Sequence, residues 1–127
     1  NGGNIDSPVI IQEMVQSELS GVLFTANPLG ILNEIVIVVG NGLGSNVVDN
    51  RVNTTTYYFN TDDNLYDMQQ VDDSPILSNL QLDELIEIGQ SIEKLFDKKM
   101  DIEFAIKDGI IRYLSVVSIE YLMIKNW

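Results

Sequence analysis

The apolar positions of this chain fall into two regimes. Early on they come in short β-branched runs separated by turn residues, and later they recur at helical spacing. "PVIIQEMV" (Pro8 to Val15), "SGVLFTANP" (Ser20 to Pro28) and "NEIVIVVG" (Asn33 to Gly40) read as strands. The second ends at an Asn-Pro turn, and the third is nearly continuously apolar, which suits a central strand. "RVNTTTYYF" (Arg51 to Phe59) reads as a Thr/Tyr-rich strand, "NTDDN" as a turn, and "LYDMQQV" (Leu65 to Val71) as an edge strand. A loop with Pro75 follows over residues 72–78.

The main helix is expected over about 78–98. Ser78 and Gln81 form a capping box, and Leu77 and Leu82 suit a hydrophobic staple across the helix start. Leu82, Leu85, Ile86, Ile92, Leu95 and Phe96 make one apolar stripe. Asp83 and Glu84 near the start, with Lys98 and Lys99 at the end, match the helix dipole. "DIEFAI" and "IIRYLSVV" then flank Lys107-Asp108-Gly109, a hairpin signal. Strands, one helix and a terminal hairpin predict an α+β fold with a mostly antiparallel sheet.

Composition narrows the function classes. The chain has 127 residues, enough for one domain with a core, and 45% of them are hydrophobic. It contains no Cys and no His, so thiolate nucleophiles, disulfides, imidazole metal sites and a phosphohistidine on this chain are excluded. Net charge is −12, which argues against nucleic acid or an anionic membrane as partner. No apolar run approaches the ~18 residues of a membrane span, and no secretory leader opens the chain. A cytoplasmic location is expected. Residues 1–8 read as a cut end or linker and 9–127 as a single lobe.

Three features could carry chemistry. Gly40, Gly42 and Gly44 give G-x-G-x-G, which taken alone reads as a tight turn rather than a phosphate cradle. Asp62-Asp63 and Asp72-Asp73 lack the pattern of a calcium loop and read as solvated turns. In "DIEFAI", Ile102, Phe104 and Ile106 point into the core, so Glu103 points the other way beside the small Ala105. On spacing alone Glu103 reads as a solvent-facing strand residue rather than as a carboxylate aimed into a cleft.

"VIIQEMVQSELSGVLFTANPLG", "GNGLGSNVVDNRV" and "DIEFAIKDGIIRYLSVV" occur in an order and spacing that resemble the nucleotide-binding region of phosphoenolpyruvate synthases, pyruvate phosphate dikinases and rifampin phosphotransferases. The resemblance implies an ATP-grasp fold and corresponds to its later lobe only. It implies ATP and Mg2+ as ligands, with ATP reached through an earlier lobe and a separate phosphohistidine carrier domain as partner. The implied function is ATP-dependent phosphoryl transfer to that carrier His, then to pyruvate or another acceptor. This chain is expected to be inactive alone and to hold no catalytic residue. The alternative is a degenerate, non-catalytic remnant kept as a binding or interaction module.

Carried over by position, Gln12, Glu13, Met14 and Val15 form the stretch passing the nucleotide, and Glu103 holds the magnesium that bridges the phosphates. Ser115 stands where the family has a Gln, Val117 where it has an Arg, and Ser118 where it has a Pro. Ser45 replaces a Glu, and Asp49-Asn50 replaces Ser-Gly. Ser115 is a weaker metal ligand than Gln, and Val117 offers no cation.

Hairpin turn length decides what shares a face with Glu103. A two-residue loop at Asp108-Gly109 pairs Lys107 with Ile110 and sets Glu103 against Leu114. An odd loop (Lys107-Asp108-Gly109 or Asp108-Gly109-Ile110) brings Glu103, Ser115 and Val117 to one face. It leaves Ile102, Phe104 and Ile106 with Leu114 and Val116 on the apolar side. The apolar pattern favours the odd loop. Glu103 should then open into a cleft beside Ser115, with Val117 as an apolar floor.

Overall fold

A computed structural model describes residues 19–42 and 53–119. The expected strand at Pro8 to Val15, the end of the glycine loop and the Arg51 end of the next strand lie outside the described residues. The described residues form strands β1 (Leu19–Phe24), β2 (Glu34–Asn41), β3 (Thr54–Asn60) and β4 (Tyr66–Gln70), helix α1 (Asn79–Phe96), and strands β5 (Met100–Lys107) and β6 (Ile110–Ser118). The six strands make one sheet in the order β4-β3-β2-β1-β5-β6, every neighbouring pair antiparallel. This is the α+β arrangement read from the pattern, with β2 inside the sheet and β4 at its edge.

Strand alternation gives the sheet two faces. Leu23, Ile35, Ile37, Val39, Tyr57, Ile102, Phe104 and Ile106 lie on one face and form the core with Leu77, Leu82 and Leu85 from the helix side. Gly89 brings α1 close to this face: a Cβ there would approach Leu23 Cδ2 to 2.8 Å. Gly21 serves the same end within the sheet, because a Cβ there would collide with the Val38 carbonyl and the Phe104 ring.

The helix begins where the capping box places it. Gln81 N donates to Ser78 Oγ at 3.1 Å, and Ser78 N donates to Gln81 Oε1 at 2.9 Å. Leu77 and Leu82 are both buried in the core, as the staple requires. Two details of the helix differ from the sequence reading. Leu95 is 77% exposed and Phe96 is 52% exposed. At 3.6 residues per turn Leu95 stands about 140° around the axis from Leu82, off the stripe. Phe96 lies on the stripe but is the last helical residue, and the chain leaves the helix through Asp97 in the left-handed conformation. The dipole match is also weaker than expected. The first turn carries no acid, and Lys94 is the basic residue of the last turn. Lys99 instead pairs with Glu93 at 2.9 Å.

The acidic turns do structural work. Asp62 Oδ2 accepts from Asn33 Nδ2 at 2.7 Å, Asp63 Oδ1 from Leu65 N at 2.9 Å, and Asp72 Oδ2 from Asn53 Nδ2 at 2.9 Å. The Asn-Pro turn after β1 closes on Asn27, whose Oδ1 accepts from Leu29 N and whose Nδ2 donates to Glu34 Oε1.

The hairpin corrects the expected loop. Lys107 pairs with Ile110, so the loop is the two residues Asp108 and Gly109. Both have positive φ, 54° and 76°, the conformation of a primed hairpin turn that suits Asp-Gly. The odd residue is not in the turn but in the strand. Phe104 pairs with Tyr113 and Glu103 with Ser115, leaving Leu114 as the extra residue of a β-bulge. Leu114 is 39% exposed rather than sharing the core as expected. Tyr113 takes the core-side position, and its hydroxyl donates to Glu84 Oε2 on α1 at 3.1 Å.

Candidate functional site

The face of the sheet opposite α1 is built in rows that follow from the strand pairings. One row runs Ser115, Glu103, Val22, Val38 and Thr56. The next runs Val117, Asp101, Phe24, Val36 and Tyr58. A third, on the other side of the first, runs Arg112, Ala105, Ser20, Gly40 and Thr54. Glu103 and Ser115 therefore oppose each other, both exposed, and Val117 shares their face. The face expected for these three residues is the face they occupy. The bulge puts them there, in place of the odd loop.

Asp101 belongs to the same constellation, and the sequence reading passed over it. It lies two residues before Glu103 on β5, so both carboxylates leave the strand on one side. Its Oδ1 is buried without a hydrogen-bond partner. Burial, and then the neighbouring Glu103 carboxylate, push its pKa up to about 6. The signal was available in "MDIEF": the spacing i, i+2 is the same-face spacing of a strand.

Two carboxylates and a hydroxyl are hard oxygen donors of the kind that hold magnesium rather than soft metals. Among the described residues no group of three or more His, Cys, Asp and Glu gathers into a metal cluster. What this face offers is two neighbouring carboxylates, Asp101 and Glu103, with the Ser115 hydroxyl opposite Glu103. Gln12, Glu13, Met14 and Val15, expected at the nucleotide base, lie outside the described residues, as do Gly44, Ser45, Asp49 and Asn50. Among the described residues no helix is long and apolar enough to cross a membrane.

Residues 4–74 match the family described as the pyruvate phosphate dikinase, AMP/ATP-binding domain. The chain belongs to this family. It is 30% identical over 125 residues to the "Probable phosphoenolpyruvate synthase" of Methanocaldococcus jannaschii, a match covering 79% of this chain and 10% of that protein. It is 28% identical over 128 residues to the "Prodigiosin synthesizing transferase PigC" of Serratia marcescens, covering 81% of this chain and 14% of that protein. Over a shorter stretch of 49 residues it is 49% identical to the phosphoenolpyruvate synthase of Pyrococcus furiosus, covering 38% of this chain and 6% of that protein. The chain thus spans only a small part of the length of these relatives. The family match ends at residue 74, before β5 and β6, so Asp101, Glu103 and Ser115 rest on the geometry of the sheet and not on that match.

Proposed function

We propose that this chain is the later ATP-grasp lobe of a phosphoenolpyruvate synthase-like phosphotransferase. In this reading it holds the magnesium and phosphate end of ATP while an earlier lobe closes over the nucleotide. A carrier His on another domain takes the phosphoryl group and delivers it to pyruvate or another acceptor. The observation that carries this reading is the pairing of Glu103 with Ser115 on the face opposite α1, with Asp101 beside them, in a chain of the AMP/ATP-binding family.

The roles follow from the chemistry of the groups. Asp101 and Glu103 are the magnesium anchors, and Ser115 adds a neutral oxygen through its hydroxyl or a bridging water. When bound, magnesium neutralises charge on the phosphates and orients them for transfer. The unpartnered Asp101 oxygen fits this role, since a divalent cation relieves both its burial and its repulsion with Glu103. Catalysis in such transfers is almost entirely positioning and charge stabilisation. One lobe supplies half of that, so the chain alone is inactive in this reading. Its surroundings are the cytoplasm, where ATP and magnesium are abundant.

One observation favours the second reading, a degenerate remnant that binds without catalysing. Val117 faces Asp101 across the strand, and an aliphatic side chain there offers no charge to a phosphate.

Calorimetric titration of Mg·ATP tests the proposal. The full-length protein should bind, and Glu103→Gln should weaken that binding strongly. The chain of 127 residues alone should show no binding at millimolar ATP and magnesium. Micromolar binding by the chain alone would overturn the claim that the site is half-built. No binding by the full-length protein would overturn the nucleotide reading itself.

A further inference from the structure

Arg112 sits on the site face because the two-residue turn pairs it with Ala105, and the bulge then brings Ser115 to the same face. Along a regular strand, positions 112 and 115 point to opposite sides. Here the extra residue Leu114 lies between them, and Arg112 pairs with Ala105 while Ser115 pairs with Glu103. Ala105 and Glu103 are alternate residues of β5, so their partners share one face. A cation at an even position and an oxygen donor at an odd position are brought together by one inserted residue. Without the bulge, the two-residue turn would set Leu114 rather than Ser115 against Glu103.

We infer that Arg112 is a phosphate-binding residue of this site, contacting the polyphosphate of a magnesium-bound nucleoside triphosphate. The inference rests on the nucleotide reading above and adds to it the cation on this face.

Four observations support it. Arg112 is exposed and, among the described residues, has no hydrogen-bond or ion-pair partner, so its guanidinium is free to bind. Its cross-strand neighbour Ala105 stands two residues from Glu103 on the same face of β5. The chain carries 19 acids and 7 bases, so a basic residue beside two carboxylates is uncommon here and is the group an anion would find. Finally, β6 is an edge strand of the sheet, and Arg112 on it is exposed. A guanidinium presents a rigid fork of donors that matches phosphate oxygens. Lys107 shares the face but lies a further step along β5, opposite Ile110.

The alternative role is a solvated surface charge that limits edge-to-edge pairing of β6, a common use of charged side chains on edge strands. The test separates the two in the full-length protein, with adenosine, Mg·ADP and Mg·ATP as ligands. Arg112→Ala should weaken Mg·ATP about tenfold to a hundredfold, the scale of a charged hydrogen bond. Adenosine, which lacks phosphate, should bind as before, and Arg112→Lys should recover part of the loss. Circular dichroism and the midpoint of urea unfolding should not change. Equal Mg·ATP affinity in wild type and Arg112→Ala overturns the inference and leaves the nucleotide reading standing. An equal loss for adenosine and Mg·ATP assigns Arg112 a structural role and also overturns it. Failure of the wild-type protein to bind any of the three overturns both.

Discussion

Glu103 stands directly opposite Ser115 across β5 and β6, although the turn that joins these strands would by itself set Glu103 against Leu114. Leu114 absorbs the difference as an unpaired residue. The bulge therefore brings Ser115 and Val117 to the site face, while the turn brings Arg112 there.

Deleting Leu114 should leave the site face unchanged. Without it the two-residue turn runs into a regular ladder in which Phe104 still meets Tyr113 and Glu103 still meets Ser115. Leu114 is partly exposed and contributes little core. The deletion should shift stability by about 1 kcal/mol or less. Cross-strand nuclear Overhauser effects between Glu103 and Ser115 should persist. Their loss, or unfolding of the variant, would show that the bulge holds the hairpin rather than merely adjusting it.

The helix start and the core beneath it should rank predictably. Ser78→Ala removes one half of the capping box and should cost about 1 kcal/mol. Leu85 is fully buried, and Leu85→Ala should cost about 2–5 kcal/mol. Urea unfolding of the two variants gives the order. A costlier Ser78→Ala would mean the core does not close where Leu85 sits.

These elements were legible in sequence because local signals and tertiary burial agreed. The capping box, the staple and the Leu82–Leu85 stripe all pointed to one helix, and the alternation in "DIEFAI" fixed the side on which Glu103 emerges. The hairpin turn was misread because an Asp-Gly pair and an odd face parity conflict, and only a bulge satisfies both. Nothing in "IIRYLSVV" marks which residue will be left unpaired. The expected odd loop, as Asp108-Gly109-Ile110, would set Arg112 against Ile106 on the core side, whereas the two-residue turn pairs it with Ala105 on the face of Glu103. Asp101 was visible in the i, i+2 spacing, but its cross-strand neighbours Phe24 and Val117 come from two other strands. Leu95 was placed on the stripe by counting apolar residues rather than by angle.

Two tyrosines should resist ionisation. Burial raises the pKa of Tyr57, with Leu77 N donating to its hydroxyl as a smaller opposing effect. Burial and the Glu84 carboxylate raise that of Tyr113. In both cases the folded state disfavours the phenolate. Their contribution to stability is complete below the ordinary tyrosine value of 10 and is lost as pH rises beyond it. An ultraviolet absorbance titration of the native protein should show Tyr57 and Tyr113 ionising late and together with unfolding. Glu84→Gln should let Tyr113 ionise earlier. Ionisation of Tyr57 and Tyr113 in the folded protein at the ordinary tyrosine value would contradict the burial of these two rings.

Asp101→Asn should stabilise the protein at neutral pH. The charged carboxylate is held in a buried position beside Glu103, and both burial and repulsion oppose it. A neutral amide removes the repulsion and much of the desolvation cost, a gain of roughly 1–2 kcal/mol. The same change should weaken Mg·ATP binding by the full-length protein, because one anchor for the metal is gone. Stability and binding moving in opposite directions is the signature of a functional residue held at a structural cost. Urea unfolding and calorimetry give the two readings. A destabilised Asp101→Asn variant would mean the carboxylate has a structural partner.

Val117→Arg tests whether the site is retired or merely incomplete. Position 117 faces Asp101 across β5 and β6, and Val117 gives that carboxylate no counter-charge. A guanidinium introduced there stands opposite the unpartnered Asp101 oxygen and should hold the carboxylate in its charged form. The first expected outcome is structural: Asp101 should titrate well below about 6, where burial and Glu103 now hold it. Carbon-detected titration of the aspartate side chains reads this directly. The second outcome is functional and needs the full-length protein. With Ser115→Gln added to restore a longer oxygen ligand opposite Glu103, Mg·ATP should bind more tightly than to wild type, by about tenfold for one charged contact. If Asp101 titrates as expected but Mg·ATP affinity does not rise, the fold has kept the arrangement of the face while the rest of the nucleotide cleft has gone. That result would favour the binding remnant over the phosphotransferase. If affinity rises, the cleft is intact and the substitutions at 115 and 117 account for its weakness.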